Sequence, residues 1–232
     1  MSDPILQLER VHKAYERNKG LSSSAGAGPV EVLKGIDLDI YEGEAVCILG
    51  SSGAGKSTLL HILGTLDQPT LGRALYKKND LNKQSDENLA AFRNKELGFV
   101  FQFHHLLSEF TAIENVMLPA RIGGVGEREA KNRALELLKV MGLADRKNHF
   151  PSEMSGGEQQ RVAVARALVQ KPKIILADEP TGNLDTVNSR HIQELFFEFK
   201  RKLGLTLVVV THDANFSFRF PRRLTLKDGH WN

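Results

Sequence analysis

The stretch Gly50-Ser51-Ser52-Gly53-Ala54-Gly55-Lys56-Ser57 limits what this chain can become more than any other. It follows an apolar run, Ala45-Val46-Cys47-Ile48-Leu49, and leads into Thr58-Leu59-Leu60-His61-Ile62-Leu63. The pattern G-x-x-x-x-G-K-[ST] between a strand and a helix predicts a phosphate-binding loop. Its glycines let successive backbone N–H groups turn inward, and the following helix adds the positive end of its dipole. In such a loop Lys56 reaches the β- and γ-phosphates, and the Ser57 hydroxyl ligates Mg²⁺.

The rest of the chain alternates strands and helices around that loop, which predicts an α/β fold. Ile5 to Val11 reads as a strand that ends near Tyr15, and Ile36-Asp37-Leu38-Asp39-Ile40 as a strand with one wet face. Together they predict a small antiparallel sheet beside a parallel core. Residues 17–29, rich in serine and glycine, read as a mobile surface loop. After Leu71-Gly72 the chain turns polar, with a helix over Asp86–Arg93 and a short strand over Leu97–Phe101. Thr111 and Glu114 have capping-box spacing. A helix over Glu127–Met141 has Ala130, Ala134, Leu137, Leu138 and Met141 on one face and ends at Gly142. The α/β rhythm returns with a helix at Val162–Gln170 and a buried strand at Ile174–Ala177. A helix marked by Ile192, Leu195, Phe196 and Phe199, a strand at Leu205–Val210 and a terminal strand and turn complete it.

Composition narrows the setting. A hydrophobic content of 41% and a charged content of 25% are ordinary for a globular domain. The net charge of +3, without a Lys/Arg cluster, gives no footprint for nucleic acid. Cys47 is the single cysteine, so no disulfide framework is expected and a reducing compartment is. No run of roughly eighteen apolar residues is present, and Met1-Ser2-Asp3-Pro4 lacks the features of a signal peptide. The expectation is a cytosolic or peripheral protein.

Two further stretches carry chemistry. Asp178 and Glu179 emerge from the apolar strand Ile174–Ala177, at the kind of strand end where open α/β sheets bind ligands. Two adjacent carboxylates call for a cation. Asp178 suits the Mg²⁺ shell, and Glu179 suits positioning or polarising the attacking water. Ser155-Gly156-Gly157-Glu158 again has capping-box spacing. Its first helical positions, Gly156 and Gly157, each cost about 1 kcal/mol relative to alanine. A helix start so bare of side chains exposes N–H groups to an approaching anion.

The phosphate loop, Ser155-Gly156-Gly157-Glu158-Gln159 and Ile174–Glu179 occur in the order found in ATP-binding-cassette ATPases, which the chain resembles from Leu6 to Gly229. The resemblance implies a P-loop NTPase fold: a RecA-like core with a parallel sheet, a small antiparallel β-subdomain and an inserted helical subdomain. It implies one domain over 1–232, with the core at about 1–100 and 167–232 and the helical part at about 101–166. It implies ATP and Mg²⁺, held by Gly50, Ser51, Ser52, Gly53, Ala54, Gly55, Lys56, Ser57 and Thr58. In that family the serine-glycine-glycine of one protomer, here Ser155, Gly156 and Gly157, closes on the γ-phosphate bound by the other. A homodimer sandwiching two ATP molecules follows.

Other positions match singly. Tyr15 stands where the family has an aromatic that stacks on adenine, although a strand-end tyrosine packed on the core fits nearly as well. Gln102 matches the glutamine that touches Mg²⁺ and water and links to the transmembrane partner. His212 matches the histidine that contacts the γ-phosphate. Asp185 lies where the family has a loop crossing the dimer interface, and equally suits a helix N-cap. Met154 replaces the usual leucine, a swap that conserves volume. The stretch Gly98–Leu107 with Phe110–Val116 looks like the ATPase of lipoprotein-releasing transporters. Ala177–Asp185 is shared with macrolide exporters and a cell-division ATPase. The resemblance thus implies integral membrane partners, no nucleic acid, and a place on the cytoplasmic face of the inner membrane. The alternative is the ATPase of a macrolide-type exporter or of a cell-division signalling complex, with a soluble ATP switch a more distant one.

Overall fold

The computed structural model describes residues 3–16 and 28–232. Strand β1 (Leu6–Tyr15) pairs antiparallel with β2 (Val30–Ile40), Leu6 opposite Ile40 and Tyr15 opposite Val30. β3 (Ala45–Leu49) runs through the phosphate loop into α1 (Lys56–Leu63). Strands β4 (Leu71–Tyr76) and β5 (Asn79–Asp80) precede α2 (Asp86–Glu96) and β6 (Leu97–Val100). Three helices follow: α3 (Ala112–Ile122), α4 (Glu127–Val140) and α5 (Gly156–Leu168). Then come β7 (Ile174–Asp178), α6 (Thr186–Leu203), β8 (Thr206–Thr211), the short α7 (Ala214–Ser217), β9 (Arg222–Lys227) and β10 (His230–Trp231).

Two sheets result. One is antiparallel, in the order β2-β1-β4-β5; the other runs β10-β9-β3-β8-β7-β6. In the second sheet β9, β3, β8, β7 and β6 are parallel and only β10 is antiparallel. Alternation along the central strands divides the core. Ala45 and Cys47 of β3 face the helices α3 to α6, while Val46 and Ile48 face α1 and the antiparallel sheet. Strand β8 is buried along its whole length, as a parallel strand covered on both faces must be. Each such buried valine contributes roughly 1.5–3 kcal/mol over an exposed one.

Most expected elements are present, with shifted ends. β1 ends at Tyr15 as expected, whereas β2 begins earlier, at Val30, and α2 runs on to Glu96. Strand β4 was not expected, because only Ala74 and Leu75 of its residues are buried and no alternation marks it. The Glu114 half of the expected capping box is made: Thr111 N–H donates to Glu114 Oε2 at 2.8 Å. Of the predicted apolar face of α4, Ala130, Ala134, Leu138 and Met141 are buried and Leu137 is half-buried. Gly142 takes the left-handed φ of 69° that lets the helix stop there. The loop expected over 17–29 lies almost wholly outside the described residues. No described helix is long and apolar enough to cross a membrane.

Candidate functional site

Four neighbouring parallel strands, β3, β8, β7 and β6, deliver their carboxyl ends to one edge of the sheet. At that edge lies an open cleft of about 700 Å³. It is lined by Ser52, Gly53, Gly55, Lys56, Ser57 and Thr58 after β3, Gln102 after β6, Asp178 and Glu179 at the end of β7, and His212 after β8. Residues from four separate stretches of sequence thus meet in one concavity. Val32 of β2 also lines it, a contact without any local sequence signal.

The phosphate loop is bare by construction. No side chain caps α1, so its first N–H groups face the cleft. Gly55 has a φ of 102°, and a Cβ there would come within 2.9 Å of Leu33 Cδ2 and 3.0 Å of the Val32 carbonyl. At Gly50 a Cβ would meet the Leu226 carbonyl at 2.4 Å. Lys56 is almost buried and donates to the carbonyls of Gly50 at 2.9 Å and Ser51 at 3.1 Å. Ala54 N–H closes the turn onto the Ser51 carbonyl at 3.2 Å.

The carboxylates are arranged differently from one another. Burial raises the pKa of Asp178, and the Ser57 hydroxyl beside it works in the opposite direction. Glu179 accepts hydrogen bonds from Thr211 Oγ1 and His212 Nδ1, both at 2.8 Å, and lies 3.8 Å from Lys56 Nζ. Its φ of 43° places the residue in the left-handed region, a strained conformation typical of functional turns. Gln102 donates from Nε2 to Asn183 Oδ1 at 3.1 Å and accepts from Asn183 Nδ2 through its carbonyl at 3.3 Å. Cys47, buried in β3 below the loop, has its thiol pushed up to about 12 by burial.

Gly50, Ser51 and Ala54 belong to the loop without lining the cleft, and Tyr15, Ser155, Gly156, Gly157 and Asp185 are likewise not among its lining residues. Tyr15 is 40% exposed rather than packed in the core, and its hydroxyl donates to Asp67 Oδ2 at 2.6 Å. Lys13 Nζ sits 4.8 Å from its ring centre. Ser155 caps α5 reciprocally: its N–H donates to Glu158 Oε2 at 2.8 Å and its Oγ accepts from Glu158 N–H at 3.3 Å. Asp185 caps α6, accepting from Val187 and Asn188 N–H at 2.9 Å each. The two caps are neighbours. A Cβ on Gly157 would meet Asn188 Oδ1 at 2.4 Å, and one on Gly156 would find only Leu184 Cδ2, at 4.0 Å.

A bare helix start after a parallel strand, with a lysine, two carboxylates, a glutamine and a histidine around it, defines a P-loop nucleoside-triphosphatase. A family model described as ABC transporter matches residues 33–182. The chain is 58% identical to the lipoprotein-releasing system ATP-binding protein LolD of Bdellovibrio bacteriovorus, over 95% of this chain and 97% of that protein. It is 53% identical to the LolD of Bacteroides thetaiotaomicron, over 97% of this chain and 98% of that protein. Its fold superposes on a dimeric ATP-binding cassette solved in a post-hydrolysis state with ADP and Pi. That match has a TM-score of 0.89 and 41% identity, and covers 98% of this chain and 96% of that one. The chain belongs to the ABC transporter family, as one of its cassette ATPases.

Proposed function

We propose that this protein is the ATP-hydrolysing subunit of a transporter that releases lipoproteins from the inner membrane, working from the cytoplasmic face as an ATP-sandwiching homodimer. The observation that carries the reading is the convergence of Lys56, Gln102, Asp178, Glu179 and His212 on the uncapped start of α1. Lys56 and the N–H groups of Gly53 to Thr58 hold the β- and γ-phosphates, with the turn shaped by Gly50, Ser51, Ser52 and Ala54. Tyr15, 40% exposed, stacks on the adenine.

The donor set fits Mg²⁺. A hydroxyl, Ser57, lies beside a half-buried carboxylate, Asp178, and such hard oxygen donors are the kind that Mg²⁺ takes. Ser57, Asp178 and Gln102 would hold the ion, which neutralises phosphate charge when bound. Glu179 orients the attacking water and takes its proton. Thr211 and His212 hold that carboxylate in place, and His212 also reaches the γ-phosphate. Ser155, Gly156 and Gly157 meet the phosphate of the partner protomer, with Asp185 beside the same interface.

Residues 1–232 form one domain in this reading, core 1–100 and 167–232 with a helical part at 101–166. Its membrane subunits dock beside Gln102. An open groove of about 370 Å³ there is lined by Phe99, Phe101, Ile122 and Arg166 among others. Phe103, Leu107 and Phe110 on the following loop are exposed. The relatives named LolD support lipoproteins as the cargo. The test is reconstitution. Proteoliposomes carrying co-purified membrane subunits should release a lipoprotein when Mg·ATP is supplied. The Lys56→Ala variant should fail in release and lose nearly all hydrolysis. Full hydrolysis by Lys56→Ala refutes the site, and membrane partners that move another cargo refute the lipoprotein assignment.

A further inference from the structure

Helix α5 starts at the glycine pair and passes beneath both the Gln102 loop and the Glu179 turn. One of its side chains touches both. Gln160 is 1% exposed, and its Nε2 donates to the Pro180 carbonyl at 2.7 Å and to the Phe101 carbonyl at 3.3 Å. Phe101 immediately precedes Gln102, and Pro180 immediately follows Glu179. Both neighbours are acceptors, so the amide nitrogen is the end that faces them. Oε1 is left buried without a hydrogen-bond partner. An unpaired buried acceptor is costly, and a residue serving only to fill space would be better apolar.

We infer that Gln160 is a positioning residue that couples the start of α5 to both Gln102 and Glu179. It sits one helical turn beyond Gly156, so a shift of the Ser155-Gly156 end carries its amide with it. Closure of the partner's phosphate on Gly156 thereby sets the backbone on either side of the cleft. The inference rests on the cross-dimer role proposed for Gly156. Gln160 does not line the cleft, and its amide bonds to Phe101 and Pro180 rather than to the phosphate loop.

The experiment compares kcat with nucleotide affinity. Gln160→Met keeps the volume and removes the donor. Its Mg·ATP affinity should stay within about twofold of the parent protein, while kcat falls at least about tenfold, a split that marks lost transition-state positioning. If the methionine variant does not fold, Gln160→Asn decides, because its amide is one methylene short of both carbonyls. Unchanged kcat, or affinity and kcat falling in parallel, overturns the inference. Glu179→Gln is run beside them. If it turns over normally, the proposed function falls and this inference with it. If it is slow while Gln160→Met is normal, only the role of Gln160 is refuted.

Discussion

Replacing Glu179 by glutamine tests the chemistry with the least disturbance to the fold. The amide can still accept from Thr211 through Oε1 and meet His212 through Nε2, so both 2.8 Å contacts survive. What disappears is the charge. At 3.8 Å from Lys56 Nζ and an effective dielectric of about 20, the lost attraction is about 4 kcal/mol. That attraction draws Lys56 towards Glu179 rather than towards phosphate, so nucleotide affinity should hold or rise. The catalytic loss is set by the base, typically about 10²–10⁴-fold. Even the lower bound corresponds to about 2.7 kcal/mol of barrier. Phosphate release should therefore slow at least about a hundredfold, while gel filtration in Mg·ATP shows a longer-lived dimer. A normal rate shows that Glu179 is not the catalytic carboxylate. A slow rate without an accumulating dimer refutes the coupling of hydrolysis to reopening.

Gly156→Asp should leave binding to the phosphate loop intact and abolish ATP-driven dimerisation. Within the protomer a side chain there meets only Leu184, whereas in the dimer a carboxylate opposes the γ-phosphate. Equilibrium binding and gel filtration together check this. The Cys47 thiol, fully buried and with a pKa near 12, should stay neutral and inert to an aromatic disulfide reagent at pH 8, and react once urea unfolds the chain. Because the folded state keeps this proton, stability should fall as pH rises from the ordinary thiol pKa of 9.0 towards 12, as measured by thermal melts.

The stretch from β3 through the phosphate loop to α1 was legible because strand, motif and helix are contiguous in sequence. The same holds for Asp178 and Glu179, which end an apolar strand. Strand β4 was illegible for a physical reason. Its residues 71–73 are exposed and only two neighbours are buried, so neither period two nor a full apolar run appears. Val32 belongs to the site through the pairing of distant strands, which leaves no local mark. The same is true of Gln160. Its carbonyl partners lie 59 and 20 residues away, and nothing in the pattern of α5 points to them. Ser155 and Asp185 read correctly as caps, since capping chemistry is local.

The distribution of the cleft over four strand ends has a consequence for tolerance to change. Its accuracy is held in strand register. Asp178 sits opposite Val210 because Ile174 to Ala177 lock against Thr206 to Val209. A slip of one residue in β7 would turn every side chain to the opposite face and exchange the outlooks of Asp178 and Glu179. The apolar strands therefore act as the jig of the enzyme. A core substitution that merely loosens them, far from any phosphate, should blunt turnover before it unfolds the chain.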